Sequence, residues 1–115
     1  MIWEKGVSEP WFTLIKDGKK TSEGRLAKGD FAKMKEGDIV IWKNGNKKVK
    51  TEITKIVHYK SLYSMIKEER LKNVLPDSKI RTIEQGVTEV YRAPPVNYTE
   101  DKEEKFGVIA IRLKL

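Results

Sequence analysis

The sequence predicts one α+β domain, built as a small mixed β-barrel with short helices covering its ends. A chain of 115 residues has room for a single hydrophobic core. No repeat, low-complexity stretch or Pro/Gly-rich linker divides it, so residues 1–115 are expected to form one domain. Strands separated by helices, with one hairpin and a long return connection, are typical of such a barrel.

A short helix followed by a strand is predicted near the start of the chain. Ser8 is the expected N-cap of the helix, and Gly18 ends it as the residue beyond the C-cap. Residues 20–26 then alternate as a strand. One face of this strand is expected to carry three polar residues, which are Thr21, Glu23 and Arg25.

A hairpin is predicted in the middle of the chain, after one helical turn over residues 30–34. Its first strand covers residues 38–43 and is strongly apolar. Asn44-Gly45 is a favourable two-residue turn because both residues tolerate positive φ. The second strand covers residues 47–59. Its apolar positions shift phase between Ile53 and Ile56, which predicts a β-bulge or burial on both faces.

Two helices and a closing strand are expected in the second half. Ser61 is the predicted cap of the first helix, which stops before Pro76 because the residue before a proline disfavours helix. Thr82 opens a capping box for the second helix. The acidic residues 100–104 are expected to form a solvated loop. Residues 107–115 form the last strand, with Ile109, Ile111 and Leu113 facing one way.

The positive charge is concentrated in one part of the chain. The formal net charge is +7. Residues 16–50 contain eleven Lys/Arg against five Asp/Glu, whereas the other eighty residues contain thirteen against twelve. Such a field attracts polyanions, of which nucleic acid is the commonest in the cytoplasm. A solubilising coat of lysines is the alternative interpretation.

Composition excludes several classes of site. The absence of cysteine excludes disulfides, thiolate catalysis and cysteine-based metal sites. Because His58 is the only histidine, no metal is expected, and no motif indicates a cofactor. The longest apolar runs are too short to span a bilayer, and the first residues lack a signal-peptide pattern. The chain is therefore expected to be cytoplasmic, without a membrane partner.

The composition also suggests a heat-adapted protein. Charged residues make up 36% of the chain, while glutamine occurs once and cysteine not at all. Ion-pair networks lose less to desolvation at high temperature, so abundant Lys and Glu favour thermal stability.

The segment 18–25 carries the most chemical information. It contains Lys20 and, two residues apart on the predicted strand, Glu23 and Arg25. Arginine offers a planar fork for a phosphate or a base edge, and lysine offers a point charge. Glu23 could accept from a base amino group or orient Arg25, and Gly24 would let a ligand approach the backbone. A salt-bridged surface strand without a ligand is the alternative.

Other residues are candidates for nucleic-acid contact. Tyr91 and Tyr98 flank the Pro94-Pro95 loop and could stack on unpaired bases, although most aromatic residues in a small domain belong to its core. Lysines surround the predicted hairpin tip and could contact phosphates without reading sequence. They could equally discourage strand pairing at an edge. The basic candidates are Lys19, Lys43, Lys47 and Lys48.

The string Ile15-x-x-Gly18-x-Lys20-Thr21-x-Glu23-x-Arg25 resembles the signature of the ASCH domain, the activating-signal-cointegrator homology family. Further matches follow in the same order along the chain. They include Gly37-Asp38 before an apolar strand, Val74-Leu75-Pro76, the run 83–91 and the ending 104–111. The resemblance covers the chain from about residue 9 to its end.

This resemblance implies a PUA-like fold, with a cleft lined by Lys20, Glu23 and Arg25. It also implies binding of RNA, since proteins of the wider fold bind RNA. One bacterial relative is an amidohydrolase acting on N4-acetylcytidine, and another relative cleaves RNA. The amidohydrolase pattern matches only in part. Lys20 corresponds to its catalytic lysine, but Glu23 occupies the position of its threonine nucleophile.

The leading hypothesis is therefore an RNA- or nucleotide-binding module. Lys20 and Arg25 would contact phosphate or a base, with Thr21 and Glu23 beside them. The alternative is a small hydrolase of a modified nucleoside or RNA, with Lys20 as base and Glu23 or Glu69 as its carboxylate partner. A protein partner stays open as a third possibility, and the sequence does not determine the oligomeric state.

Overall fold

Five strands form one mixed sheet in the computed structural model, which describes residues 1–115. The strands are β1 Ile2–Gly6, β2 Ser22–Leu26, β3 Ile39–Asn44, β4 Lys47–Tyr59 and β5 Val108–Lys114. Their order in the sheet is β1-β3-β4-β5-β2. β1 runs parallel to β3, and the other neighbours are antiparallel. The sheet curls into a half-barrel, which confirms the predicted fold class.

Short helices pack against the curled sheet. They are α1 Trp11–Lys16, α2 Leu62–Glu69, α3 Leu71–Val74, α4 Ile83–Gly86 and α5 Glu100–Phe106. A 3₁₀ turn covers Gly29–Ala32, and a π-helical turn covers Val87–Arg92. None of the helices has the length and apolar character that crossing a membrane requires.

The predicted caps of two helices are confirmed. The Ser61 hydroxyl accepts from the Ser64 N–H at 3.0 Å at the start of α2. The Thr82 hydroxyl accepts from the Gln85 N–H at 3.1 Å at the start of α4. Each bond satisfies one backbone donor that the first turn leaves without an intrahelical partner. Ser8 was expected to cap α1 but does not, since Pro10 occupies the N-cap position without a side-chain bond.

Strand β5 lies between the two halves of the core. Val108 and Ala110 pack towards α2 and the π-helical turn. Ile109 and Ile111 face the opposite way, towards β3 and the buried Trp42. This alternation matches the two faces predicted for the strand. The predicted irregularity of β4 is also confirmed, because its register against β5 shifts between Ile53 and Lys55.

Three further local predictions were wrong, and one strand was missed. The acidic residues 100–104 form helix α5 rather than a loop, because Thr99 caps it and Glu103 is buried. The hairpin turn is Gly45-Asn46, one residue later than expected, since Asn44 pairs with Lys47 and only Gly45 needs positive φ. The helical turn before the hairpin lies at Gly29–Ala32 rather than at 30–34. Strand β1 was not predicted, and its pairing partner β3 lies more than thirty residues away.

Candidate functional site

One cleft contains the polar residues of β2 together with aromatic residues from other parts of the chain. Its volume is about 200 Å³, smaller than the roughly 300–1,000 Å³ of typical sites for drug-sized ligands. The lining includes residues 6–8 at the end of β1, Trp11 of α1, four residues between Lys20 and Arg25, and Tyr91 and Tyr98. A cleft of this size suits one ring system with its substituents rather than a folded nucleic acid.

Lys20 reaches the cleft from just before β2. Its backbone N–H donates to the Leu14 carbonyl at 3.0 Å, which ties it to the end of α1. Its Nζ donates to the carbonyls of Ser22, at 3.1 Å, and Val74, and lies 3.4 Å from Oε1 of Glu23. A lysine ammonium has three N–H donors; the two carbonyls accept from two of them, and the carboxylate of Glu23 is the third acceptor group around Nζ. The residue is only 2% exposed.

Glu23 links the two cationic residues of the cleft. One carboxylate oxygen faces Lys20, and the other lies 3.4 Å from Nη2 of Arg25. The residue is 5% exposed. Burial by itself raises the pKa of the Glu23 carboxyl, but the charges of Lys20 and Arg25 outweigh burial and hold the pKa below its ordinary value. Glu23 is therefore an ionised, buried acceptor.

Burial acts in the opposite direction on Lys20. Removing the ammonium from water lowers the pKa of Lys20, although the adjacent Glu23 carboxylate opposes this. The three acceptors around Nζ match the three hydrogens of the charged form. The contacts therefore describe a lysine that orients Glu23 and joins β2 to the end of α3.

Arg25 is the most accessible charge of the cleft, with 23% of its side chain exposed. Its guanidinium carbon lies 4.8 Å from the ring centroid of Phe31 and 5.7 Å from that of Trp42. Cations are attracted to aromatic faces at such distances. Because the single bond to Glu23 leaves most of the five N–H donors of Arg25 free, this side chain can also bind a ligand.

Two stacked tyrosines form another wall of the cleft. The rings of Tyr91 and Tyr98 are 6.1 Å apart and nearly parallel, at 14°. The buried hydroxyl of Tyr91 has no hydrogen-bond partner. Gly24 lies against this wall, where an added Cβ would come 2.3 Å from Cε of Met65 and 2.9 Å from the Tyr91 hydroxyl. The space beside Gly24 is thus filled by the protein's own side chains rather than left open for a ligand.

The structure does not bring every predicted residue to this cleft. Thr21 was expected to share a face with Glu23, but it precedes the start of β2, is exposed and lines neighbouring depressions instead. Lys19 is also exposed and lies outside the cleft. Glu69 lines a separate depression with Thr21, Arg70 and Arg112.

Glu69 is the centre of a saturated hydrogen-bond network. Its carboxylate accepts from the Ser22 hydroxyl at 2.9 Å and the Tyr59 hydroxyl at 2.5 Å. Arg112 donates to both of its oxygens, at 3.0 and 2.9 Å. Burial raises the pKa of Glu69, but the hydrogen bonds from Arg112, Tyr59 and Ser22 lower it by a larger amount. The net shift of the pKa is therefore downward. These bonds connect α2 to three strands, β2, β4 and β5.

The hairpin with the predicted lysines borders the rim of the cleft. The Val7 N–H donates to the Lys43 carbonyl at 3.0 Å, and the Asn44 side chain donates to the Val7 carbonyl at 3.1 Å. Val7 itself lines the cleft. Lys47 and Lys48 are exposed at the hairpin tip, and Lys43 is half-buried.

Sequence reasoning missed several residues of the site. Trp11 was not among the candidate residues, yet its ring lies 5.5 Å from Nζ of Lys20 in the cleft wall. Phe31 was not singled out, although it packs against Arg25. Helical spacing could reveal only that Trp11 lies on an apolar face. No sequence pattern indicates that Phe31, in the Gly29–Ala32 turn, contacts Arg25 of β2.

Comparisons with known proteins identify relatives of the whole chain. A family model described as the ASCH domain matches residues 6–115. The crystal structure of hypothetical protein PH0355 superposes with a TM-score of 0.86 at 40% identity, covering 99% of this chain and 98% of that one. The solution NMR structure of protein PF0455 from Pyrococcus furiosus gives a TM-score of 0.78 at 38% identity, covering 99% and 96%. Both proteins are from Pyrococcus. No curated protein matches the chain.

Proposed function

Because the chain belongs to the ASCH domain family, we propose that it binds RNA or a nucleotide, with one base-bearing unit held in the cleft of Lys20, Glu23 and Arg25. At the level of the family, the ASCH domain indicates an RNA-binding module. The finer proposal concerns the ligand and the residues that contact it.

The observation that carries the proposal is a buried polar cluster with spare hydrogen-bonding capacity. The contacts of Glu23 with Lys20 and Arg25 are both 3.4 Å long, whereas charge-assisted bonds in proteins are about 2.7–2.9 Å. Because buried polar groups are nearly always hydrogen-bonded, such a cluster supports a ligand that supplies the missing donors and acceptors.

A nucleotide has the groups that this cluster lacks. The Glu23 carboxylate can accept from the amino or ring N–H of a base, and the free donors of Arg25 can bind a phosphate or a ring acceptor. The aromatic rings of Trp11 and Tyr98 line the same cleft. Stacking of an unpaired base on such a ring contributes about 1–3 kcal/mol. Lys20 acts indirectly in this proposal, by holding Glu23 in place.

Binding is testable through the tryptophan fluorescence of the protein, since Trp11 lines the cleft. Titration with nucleoside monophosphates and short single-stranded RNAs is expected to give saturable changes. Glu23→Gln should weaken binding because a neutral amide accepts less strongly, and Arg25→Lys should weaken it by removing the planar fork. Glu36→Gln is the charge-matched control, because Glu36 is exposed and outside the cleft. Equal affinities in all three variants would contradict the proposal.

A hydrolase acting on an N4-acetylcytidine-like nucleoside or on RNA is a second candidate. The observation in its favour is the burial of Lys20, which lowers its pKa in the direction that a general base requires. The three acceptors around Nζ favour the charged ammonium instead, and Glu69 lies outside the cleft. Incubation with N4-acetylcytidine and with RNA tests this candidate. Product formation that Lys20→Ala abolishes would support the hydrolase, while no product on either substrate leaves the binding module.

A further inference from the structure

The hairpin tip and the cleft share part of their framework. Residues 6–8 line the cleft, and Gly6 is the register partner of Lys43 at the end of β3. The backbone and side-chain bonds that Val7 makes to Lys43 and Asn44 hold the tip against this rim. Lys47 pairs with Asn44 across the hairpin and therefore shares its face of the sheet. A ligand leaving the cleft past Val7 thus meets the hairpin tip.

The lysines of the tip are poorly compensated within the protein. Lys43 and Lys48 lie directly opposite each other in the ladder, and like charges in that position destabilise a sheet. Lys43 has one distant carboxylate, that of Glu4 at 3.8 Å. Lys47, Lys48 and Lys50 have no carboxylate oxygen within the 4.0 Å of an ion pair. An external anion would relieve this repulsion.

Two arginines elsewhere on the surface are paired with carboxylates. Arg92 pairs with Glu103 at 3.2 Å, and Arg112 pairs with Glu69 at 2.9 Å. Lysines at the free edge of β4, residues 47–50, also discourage strand pairing. That role does not apply to Lys43, because its strand is paired on both sides. Unpaired lysines such as Lys67 and Lys79 also occur elsewhere, but those of the hairpin tip are the ones that border the cleft.

We infer that the cleft and the hairpin tip form one binding surface for single-stranded RNA. One base enters the cleft, and the phosphates that follow it contact the hairpin tip, which has Lys47 on the face of Asn44 and Lys43 and Lys48 on the opposite face. This inference rests on the proposed function and narrows its ligand from any nucleotide to an oligonucleotide. A duplex does not fit the arrangement, because a base paired within a helix cannot enter a cleft of about 200 Å³.

The salt dependence of binding tests the inference. Affinities for a labelled mixed-sequence pentaribonucleotide and for the four nucleoside 5′-monophosphates are measured at several salt concentrations. The variant Lys47→Ala/Lys48→Ala is compared with Lys67→Ala/Lys79→Ala, which removes the same charge from exposed positions outside the cleft and the hairpin. Each phosphate contact on a single strand contributes a slope of about 0.7 in log affinity against log salt. The hairpin variant is expected to lose about 1.4 of slope for the pentaribonucleotide, with unchanged affinity for monophosphates.

Several outcomes would overturn the inference. One is an equal slope in the hairpin variant and its control, and another is monophosphate binding as tight as that of the pentaribonucleotide. Equal affinity for poly-glutamate would indicate an acidic protein partner instead. If monophosphate binding responds to Glu23→Gln while the hairpin variant has no effect, only this inference fails. If Glu23→Gln leaves the affinities for the monophosphates and for the pentaribonucleotide both unchanged, the proposed function fails, and the joint binding surface fails with it.

Discussion

Nζ of Lys20 and Oε1 of Glu23 lie 3.4 Å apart in a buried ion pair at the base of the cleft. Lys20→Met is expected to destabilise the protein by about 3–5 kcal/mol, because it leaves a buried carboxylate short of a partner. The double variant Lys20→Met/Glu23→Gln should recover part of this loss. The measurement is the free energy of unfolding in urea.

The neighbouring Lys19 provides the control for this pair. Lys19→Met removes the same charge from an exposed side chain, so its effect should stay within about 0.5 kcal/mol. A Lys20→Met variant as stable as Lys19→Met would show that the ion pair does not stabilise the fold.

Glu69 is expected to control part of the acid sensitivity of the protein. Its folded pKa is below its ordinary value, so the folded state binds fewer protons than the unfolded state at acidic pH. The stability that it contributes is present above the unfolded pKa and is lost as pH falls through the folded pKa. Glu69→Gln should cost about 1–3 kcal/mol at neutral pH and flatten the acid decline. Unfolding free energies between neutral and acidic pH measure both effects, with exposed Glu68→Gln as control. The same acid decline in both variants would contradict the prediction.

Gly24 is required by the packing of the tyrosine wall. Gly24→Ala places a Cβ 2.3 Å from Cε of Met65, so those side chains must shift. The expected cost is about 1–3 kcal/mol, as for other overpacked cores, measured by chemical denaturation. Gly6→Ala is the matched control, because an added Cβ there has no atom within 4 Å. Equal stability of the two variants would show that Met65 and Tyr91 move aside at no cost.

Phe31 is predicted to position Arg25 for the ligand. Phe31→Leu keeps an apolar side chain but removes the ring that lies 4.8 Å from the guanidinium. A cation–π contact at a partly exposed site contributes about 0.5–1 kcal/mol, so RNA affinity should fall by about two- to fivefold. Phe106→Leu is the control, since that ring packs against Lys28 and Lys105 instead. If both variants bind RNA equally well, Phe31 does not position Arg25.

High thermal stability is expected from the charged composition. Charged residues make up 36% of the chain, and several form ion pairs between distant segments, such as Lys5 with Asp30 at 2.6 Å. The unfolding midpoint should exceed the roughly 45–65 °C of mesophile domains. Circular dichroism during heating measures it, and a midpoint within that range would contradict the prediction.

Local signals in the sequence were sufficient for much of the fold. Ser61 and Thr82 cap their helices as predicted, because a cap depends on residues only three positions apart. The shift in β4 was readable from the phase of its own apolar residues. By contrast, the acidic charges of residues 100–104 led to the prediction of a solvated loop where the structure has helix α5. Its stability comes partly from buried Glu103, which accepts from the distant Leu62 N–H at 2.7 Å.

In the candidate site too, the sequence predicted one part of the arrangement and only the tertiary structure decided the rest. The types and spacing of Lys20, Glu23 and Arg25 in the sequence determined which chemistry is available: a carboxylate between two cations. Strict strand alternation would place Lys20 and Glu23 on opposite faces. Only the tertiary structure decided that they meet, because the bond to Leu14 holds Lys20 outside the strand and lets its side chain reach Glu23. It also brought Phe31 and Tyr98 beside Arg25 and excluded Glu69, since such contacts depend on packing between segments far apart in the chain.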